Sequence, residues 1–144
     1  MLESTESRIE SIADSPIDRV GSAISMAAAT DRAPNAGVSC YVVPVAESPA
    51  GNTRVSGRAL QKVQVTVGVV FAIRTLNDPD GERGSAKLET ARDVVRDALF
   101  GWQPEGADVG YLLSASGLIR MDKNVIWWID RYQTQIQRRA KVWE

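Results

Sequence analysis

The sequence predicts an α+β domain with a largely antiparallel sheet, on three observations. From Ser85 to Phe100, apolar residues recur at three- and four-residue steps, which places them on one face of a helix. From Leu60 to Thr75 they alternate instead, the period of a strand. The strand-forming runs, finally, are mostly joined by connections that suit hairpins, which favours antiparallel pairing. One long amphipathic helix, about 85–100, and shorter N-terminal helices are expected to pack on that sheet.

In chain order, Leu2, Ile9, Ile12 and Ala13 fall at broadly helical spacing, ending before Pro16. Ile17–Val20 reads as a short strand and Ala23–Ala29 as a short, alanine-rich helix. Asp31 to Gly37, with Pro34, Asn35 and Gly37, is a connection. Val38–Val45 reads as a strand in which Pro44 favours an end or an edge, because it cannot donate to a ladder. Ala46 to Gly57 is small and polar, a flexible hairpin loop that is either an interaction loop or a spacer.

Leu60–Thr75 is the strongest strand signal. Val63, Val65, Val67, Val69, Phe71 and Ile73 occupy one face. Lys62, Gln64, Thr66 and Gly68 begin the other, which turns apolar at Val70 and Ala72. Its first half should therefore be wet on one side and its second half covered on both. Such a strand outreaches the usual length and could form the arm of an extended hairpin.

In the helix, Leu88, Ala91, Val94, Val95, Ala98 and Leu99 face inward, and Lys87, Glu89, Arg92, Asp93, Arg96 and Asp97 outward. Glu89–Arg92 and Asp93–Arg96 are opposite charges three apart, worth roughly 0.2–0.5 kcal/mol each. Ser85 suits the N-cap, Gly101 the left-handed position past the end, and Pro104 prevents resumption.

Tyr111–Met121 and Val125–Gln137 then read as strands joined through Asp122-Lys123-Asn124. On the second, Val125, Trp127, Ile129 and Arg131 share one face, and Ile126, Trp128, Asp130 and Tyr132 the other. Burying one Trp removes about 150–250 Å² from water, roughly 4–6 kcal/mol as an upper bound. Adjacent tryptophans point to opposite faces, so the second needs another covering layer: a helix, a loop or another copy of the chain. The expected core includes Leu88, Val95, Leu99, Trp102, Val67, Phe71 and Trp127.

The composition bounds function. The 144 residues fit a single domain, 1–144, with a hydrophobic content of 44% and a net charge of −1, which give no overall attraction to nucleic acid or membrane. The ends differ: Glu3, Glu6, Glu10, Asp14 and Asp18 stand against Arg8, whereas Arg131, Arg138, Arg139 and Lys141 stand against Glu144, with a basic tail about 138–144. These are two solvated ends or complementary surfaces for self-assembly. Cys40, the single cysteine, lies in an apolar run as a small buried hydrophobe. No segment suits a bilayer span, and Met1-Leu2-Glu3 does not open a signal peptide, so the host cytoplasm is the expected compartment.

Catalytic sets are not found. With no histidine, Ser-His-Asp and Cys-His catalysis and the usual zinc sites are excluded. No phosphate-cradling loop motif occurs. Asn77-Asp78-Pro79-Asp80-Gly81-Glu82 resembles calcium-loop material, but with Gly81 at the sharp turn the first ligand is Leu76 and the bidentate one Lys87. A turn into the helix accounts for it. Ser114-Ala115-Ser116-Gly117 has no base partner. No cofactor or metal is expected. Trp127 and Trp128 could serve as a stacking platform in a small-ligand or carbohydrate-binding module, although packing is the commoner use of such residues.

Ala98-Leu99-Phe100-Gly101-Trp102-Gln103-Pro104 resembles the helix end, Gly-Trp and Pro of tailed-phage tail terminator proteins. Trp127-Trp128-Ile129-Asp130-Arg131-Tyr132-Gln133-Thr134 is similar to their tryptophan-bearing strand. The resemblance covers nearly the whole chain in layout and is specific from about Arg92 to Thr134. It implies a non-enzymatic virion protein that closes as a homohexameric ring on the tail tube, stops its polymerisation and offers a surface to the head connector. Its partners would be itself, the tube protein and the connector, with DNA passing unread through the channel. A ring needs two different patches on each subunit. The second aromatic face and the extended hairpin are candidates, which places Arg54, Arg58, Trp128, Arg131, Arg138 and Arg139 at subunit or tube interfaces.

Overall fold

The alternation along Leu60–Thr75 becomes the central strand of a five-stranded sheet in the computed structural model, which describes residues 1–31, 34, 37–51, 57–75, 82–122 and 124–141. The elements run α1 (Leu2–Glu10), β1 (Arg19–Ser22), α2 (Met26–Ala29), β2 (Val38–Pro49), β3 (Leu60–Arg74), α3 (Glu82–Leu99), β4 (Leu112–Asp122) and β5 (Val125–Arg139). The strand order is β1-β2-β3-β5-β4, parallel between β1 and β2 and antiparallel elsewhere, so the fold is α+β.

The two faces of β3 explain the layers. Val63, Val65, Val67, Val69, Phe71 and Ile73 are all buried against α1 and α3, where Ile9, Leu88, Ala91, Val95 and Leu99 meet them. The opposite face is wet at Lys62 and Gln64 and closes at Val70 and Ala72, as the sequence predicts. There Ala29 of α2 packs with Val43, Val125, Trp127 and Ile129 in a second, smaller core. The short α2 holds its place through Ser25, whose hydroxyl accepts from the Ala28 amide at 3.1 Å, an N-cap bond.

Several boundaries differ from expectation. The long helix starts at Glu82, so Ser85 lies inside it and is not its cap. The Glu89–Arg92 pair does not form, because Arg92 turns inward to Asp130 (3.0 Å), whereas Asp93 and Arg96 do pair. Strand β2 runs on to Pro49, so 46–49 pair with β3 rather than belong to the loop; residues 52–56 lie outside the described residues. Strand β5 likewise includes Arg138 and Arg139.

Pro44 is tolerated because of where β1 stops. β1 pairs with β2 only as far as Val42, whose carbonyl accepts from the Ala23 amide at 3.1 Å. Two residues on, Pro44 faces that same outer side, where no strand follows among the described residues. The Ala50 amide bonds inward to Lys62 at 2.9 Å, so Pro49 before it also faces outward. The outer edge of β2 therefore sets a proline at two of its donor positions.

A corner of α3 carries the tightest backbone approach. Gly101 takes φ 77°, the left-handed helix-ending conformation, and its amide donates to Tyr111 at 2.8 Å. The Tyr111 amide returns a bond to the Trp102 carbonyl at 2.9 Å. A Cβ at Gly110 would lie 2.4 Å from the Gly101 carbonyl oxygen, so only glycine fits. Arg8 of α1 crosses this corner, donating to the Ala98 carbonyl at 3.0 Å and lying 5.4 Å over Trp102, a cation at a helix C-terminus.

Candidate assembly surfaces

The aromatic strand is committed inward. Trp127 is 1% exposed in the second core, with Arg120 lying over its ring at 5.2 Å and anchored on the Thr30 carbonyl. Its indole N–H finds no partner among the described residues. Trp128, on the helix-covered face, is half-buried and donates to Asp130 Oδ1 at 2.9 Å. Arg92 reaches down from α3, donates to both Asp130 oxygens at 3.1 and 3.0 Å, and lies 4.7 Å over the Trp128 ring. Its other arm donates to Ser116 at 3.3 Å, so one guanidinium joins α3, β5 and β4. One sign of this network is legible in the sequence: an acid on the apolar face with Ile126, Trp128 and Tyr132 requires a partner for its buried charge.

Burial also sets the titration of the deep core. Cys40 is fully buried, and burial followed by the charge of Asp130 pushes its thiol well above the usual range. The Tyr132 hydroxyl is raised by burial and then by Asp130, with Arg96 and Arg92 opposing. It has no partner among the described residues. Tyr111 is raised by burial, opposed by its 2.8 Å bond to Thr5. These groups stay neutral and serve packing; among the described residues no cluster of three or more His, Cys, Asp or Glu could hold a metal ion.

Of the expected core residues, Leu88, Val95, Leu99, Val67, Phe71 and Trp127 are buried, and Trp102 is half-buried beside Tyr111. The expected interface residues do not form one patch. Arg58, Arg138 and Arg139 come together at the far end of the sheet, where Leu60 pairs with Arg139 and Gln61 with Arg138. Trp128 and Arg131 lie farther along β5, opposite Phe71 and Gly68. Arg54 lies outside the described residues.

Among the described residues, three exposed features stand out. The far end of the sheet carries Arg58, Lys62, Arg138, Arg139 and Lys141, all exposed, and Glu47 is the only carboxylate contacting them among the described residues, at 4.0 Å from Arg138. Leu118 and Met121, both more than half exposed, stand on the outer strand β4, opposite Trp128 and Ile126. At the open edge of β2, a groove of about 930 Å³ runs between the start of α1, Ile24 and Val45, with Glu3, Glu47 and Glu105 around it. Sequence periodicity could not reveal this groove, because it is assembled from segments far apart in the chain.

A family model described as phage tail terminator protein matches residues 9–142. The fold is similar to that of a chain in the virion of a native gene transfer agent particle, with 19% identity, 94% of each chain covered and a TM-score of 0.52. No curated protein matches the chain.

Proposed function

The chain belongs to the phage tail terminator family, and from that premise we propose that it is a structural, non-catalytic virion protein that closes as a ring on the end of the tail tube. The ring, a homohexamer, stops tube polymerisation and presents its other face to the head connector, at the junction of head and tail. Termination follows if one ring face copies the docking surface of the tube and the other does not. DNA passes through the channel without being read.

The observation that carries this reading is the pair of unlike surfaces on one subunit. A closed ring requires a heterologous interface, in which two different patches meet their counterparts on the neighbours. The basic end of the sheet and the acidic-rimmed groove are such a pair. The similarity in fold to a chain of a gene transfer agent virion supports a place in the particle. The ligand-binding alternative loses its platform: Trp127 is 1% exposed, and Arg92 covers a face of Trp128.

Disruption of the gene in its phage tests the reading. Overlong tubes and unattached heads are the expected phenotype, and tails of normal length that join heads would refute it. Micrographs of the purified protein, alone and with the tube protein, should show annular particles.

A further inference from the structure

The basic end of the sheet divides between two sides. Register puts Val63, Val65 and Val67 toward the helices, and Arg138, opposite Gln61, lies on that side, where it reaches Glu47 at 4.0 Å. Lys62, Arg131 and Arg139 lie on the other side, opposite Gln137, Gly68 and Leu60. Lys62 and Arg139 are exposed and Arg131 is half-buried, and none of the three forms an ion pair among the described residues. Between them, Gln64 pairs with Gln135 and Thr66 with Gln133.

This side holds no carboxylate from β2, β3 or β5: Glu47 and Asp130, the acids of those strands, both point the other way. Asp108 stands at the rim, its amide donating to the Gln135 carbonyl at 2.8 Å. No aromatic ring stands among these rows either. A protein interface centres on apolar anchors and excludes charge from its core. A nucleic-acid backbone instead takes its contacts from Arg, Lys, Gln and Thr side chains, the residues found here. Arg131 and Arg139 are eight residues apart, roughly 27 Å at strand rise. Over that length each strand of a duplex presents about eight phosphates.

We propose that this side of the sheet contacts the phosphate backbone of duplex DNA without regard to sequence, with Lys62, Arg131 and Arg139 meeting phosphates and the glutamine amides donating between them. The net charge of −1 gives no overall attraction, so the contact is local and screened by salt. It stands on its own residues; only its place, facing the channel, rests on the ring reading. Repetition of the face around a ring would multiply the contact.

Fluorescence anisotropy of a labelled duplex of arbitrary sequence, titrated with the full chain from low salt upward, tests it. The logarithm of the affinity should fall against that of the salt concentration with a slope of about −3 for one bound subunit. Lys62→Gln, Arg131→Gln and Arg139→Gln should each reduce that slope by about 1. Arg138→Gln removes the same charge one residue away, on the helix side, and should leave the slope unchanged. No binding at low salt, or an equal loss in Arg138→Gln and Arg139→Gln, would overturn the proposal. Poly-glutamate bound more tightly than the duplex would also overturn it and assign the face to an acidic protein. Micrographs judge the ring separately. Annular particles that do not bind the duplex would overturn the contact and leave the ring reading standing. Duplex binding by a protein that forms no rings, alone or with the tube protein, would uphold the contact and refute closure.

Discussion

Arg92 on α3 lies over Trp128 on β5, its guanidinium carbon 4.7 Å from the ring centroid, while it clamps the carboxylate of Asp130 from the same position. Asp130 is 1% exposed, so its charge depends on that clamp and on the Trp128 indole. Arg92→Ala leaves a buried carboxylate half-partnered and should cost about 3–5 kcal/mol, read from the midpoint of urea unfolding. The double change Arg92→Met with Asp130→Leu should recover most of the loss, since an apolar pair avoids the desolvation penalty. A loss below about 1 kcal/mol in the single variant would show that the clamp is dispensable.

Tyr132→Phe deletes a buried hydroxyl that has no partner among the described residues. It should be neutral or slightly stabilising at pH 7, within about 1 kcal/mol, because no bond is lost and a desolvated polar group is removed. A loss of about 2 kcal/mol or more would reveal a partner for that oxygen.

Stability should fall on the alkaline side. Cys40 and Tyr132 have folded pKa values raised above their ordinary values of 9.0 and 10.0, by burial and then by Asp130. Below those values both folded and unfolded chains keep the protons, and the contribution is fully present. Above them the unfolded chain releases protons that the native state retains, so stability declines as pH rises through that window. Urea midpoints should decline from about pH 9 upward, with a shallower slope above pH 10 in Tyr132→Phe. A flat profile from pH 8 to 12 would contradict the burial of these groups.

Gly110→Ala should destabilise by about 1–3 kcal/mol or more, since its methyl would sit 2.4 Å from the Gly101 carbonyl oxygen and the corner must open. An unchanged melting temperature would show that the backbone there yields freely.

Trp102→Ala should cost about 2 kcal/mol, less than the roughly 3–5 of a wholly buried tryptophan, because the ring is only partly buried, between Arg8 and Tyr111. The same unfolding measurement decides it: a full-core loss would mean the ring is sealed, and a loss under about 1 kcal/mol would mean it is free.

How much of this was legible follows from what is local. The alternation of Val63 through Ile73, the helical face from Leu88 to Leu99 and the stop at Gly101 are written in neighbouring residues, and the structure follows them. Ser85 has the chemistry of a cap, yet the helix already begins at Glu82. Spacing along a helix pairs Arg92 with Glu89 because it reveals only partners on that helix, whereas the buried Asp130 on another element outcompetes an exposed one. The grouping of Arg58 with Arg138 and Arg139 depends on strand register, and the groove on six separate segments. Neither has a period to read.

The outward-facing prolines of β2 bear on how copies of this chain can meet one another. A bare strand edge invites any passing strand to zip onto it. With Pro44 and Pro49 withholding two amides, and register breaks along β4 between Leu113 and Ala115 and between Leu118 and Arg120, both rims of the sheet are blunted. Association through side chains is thereby favoured over backbone zipping.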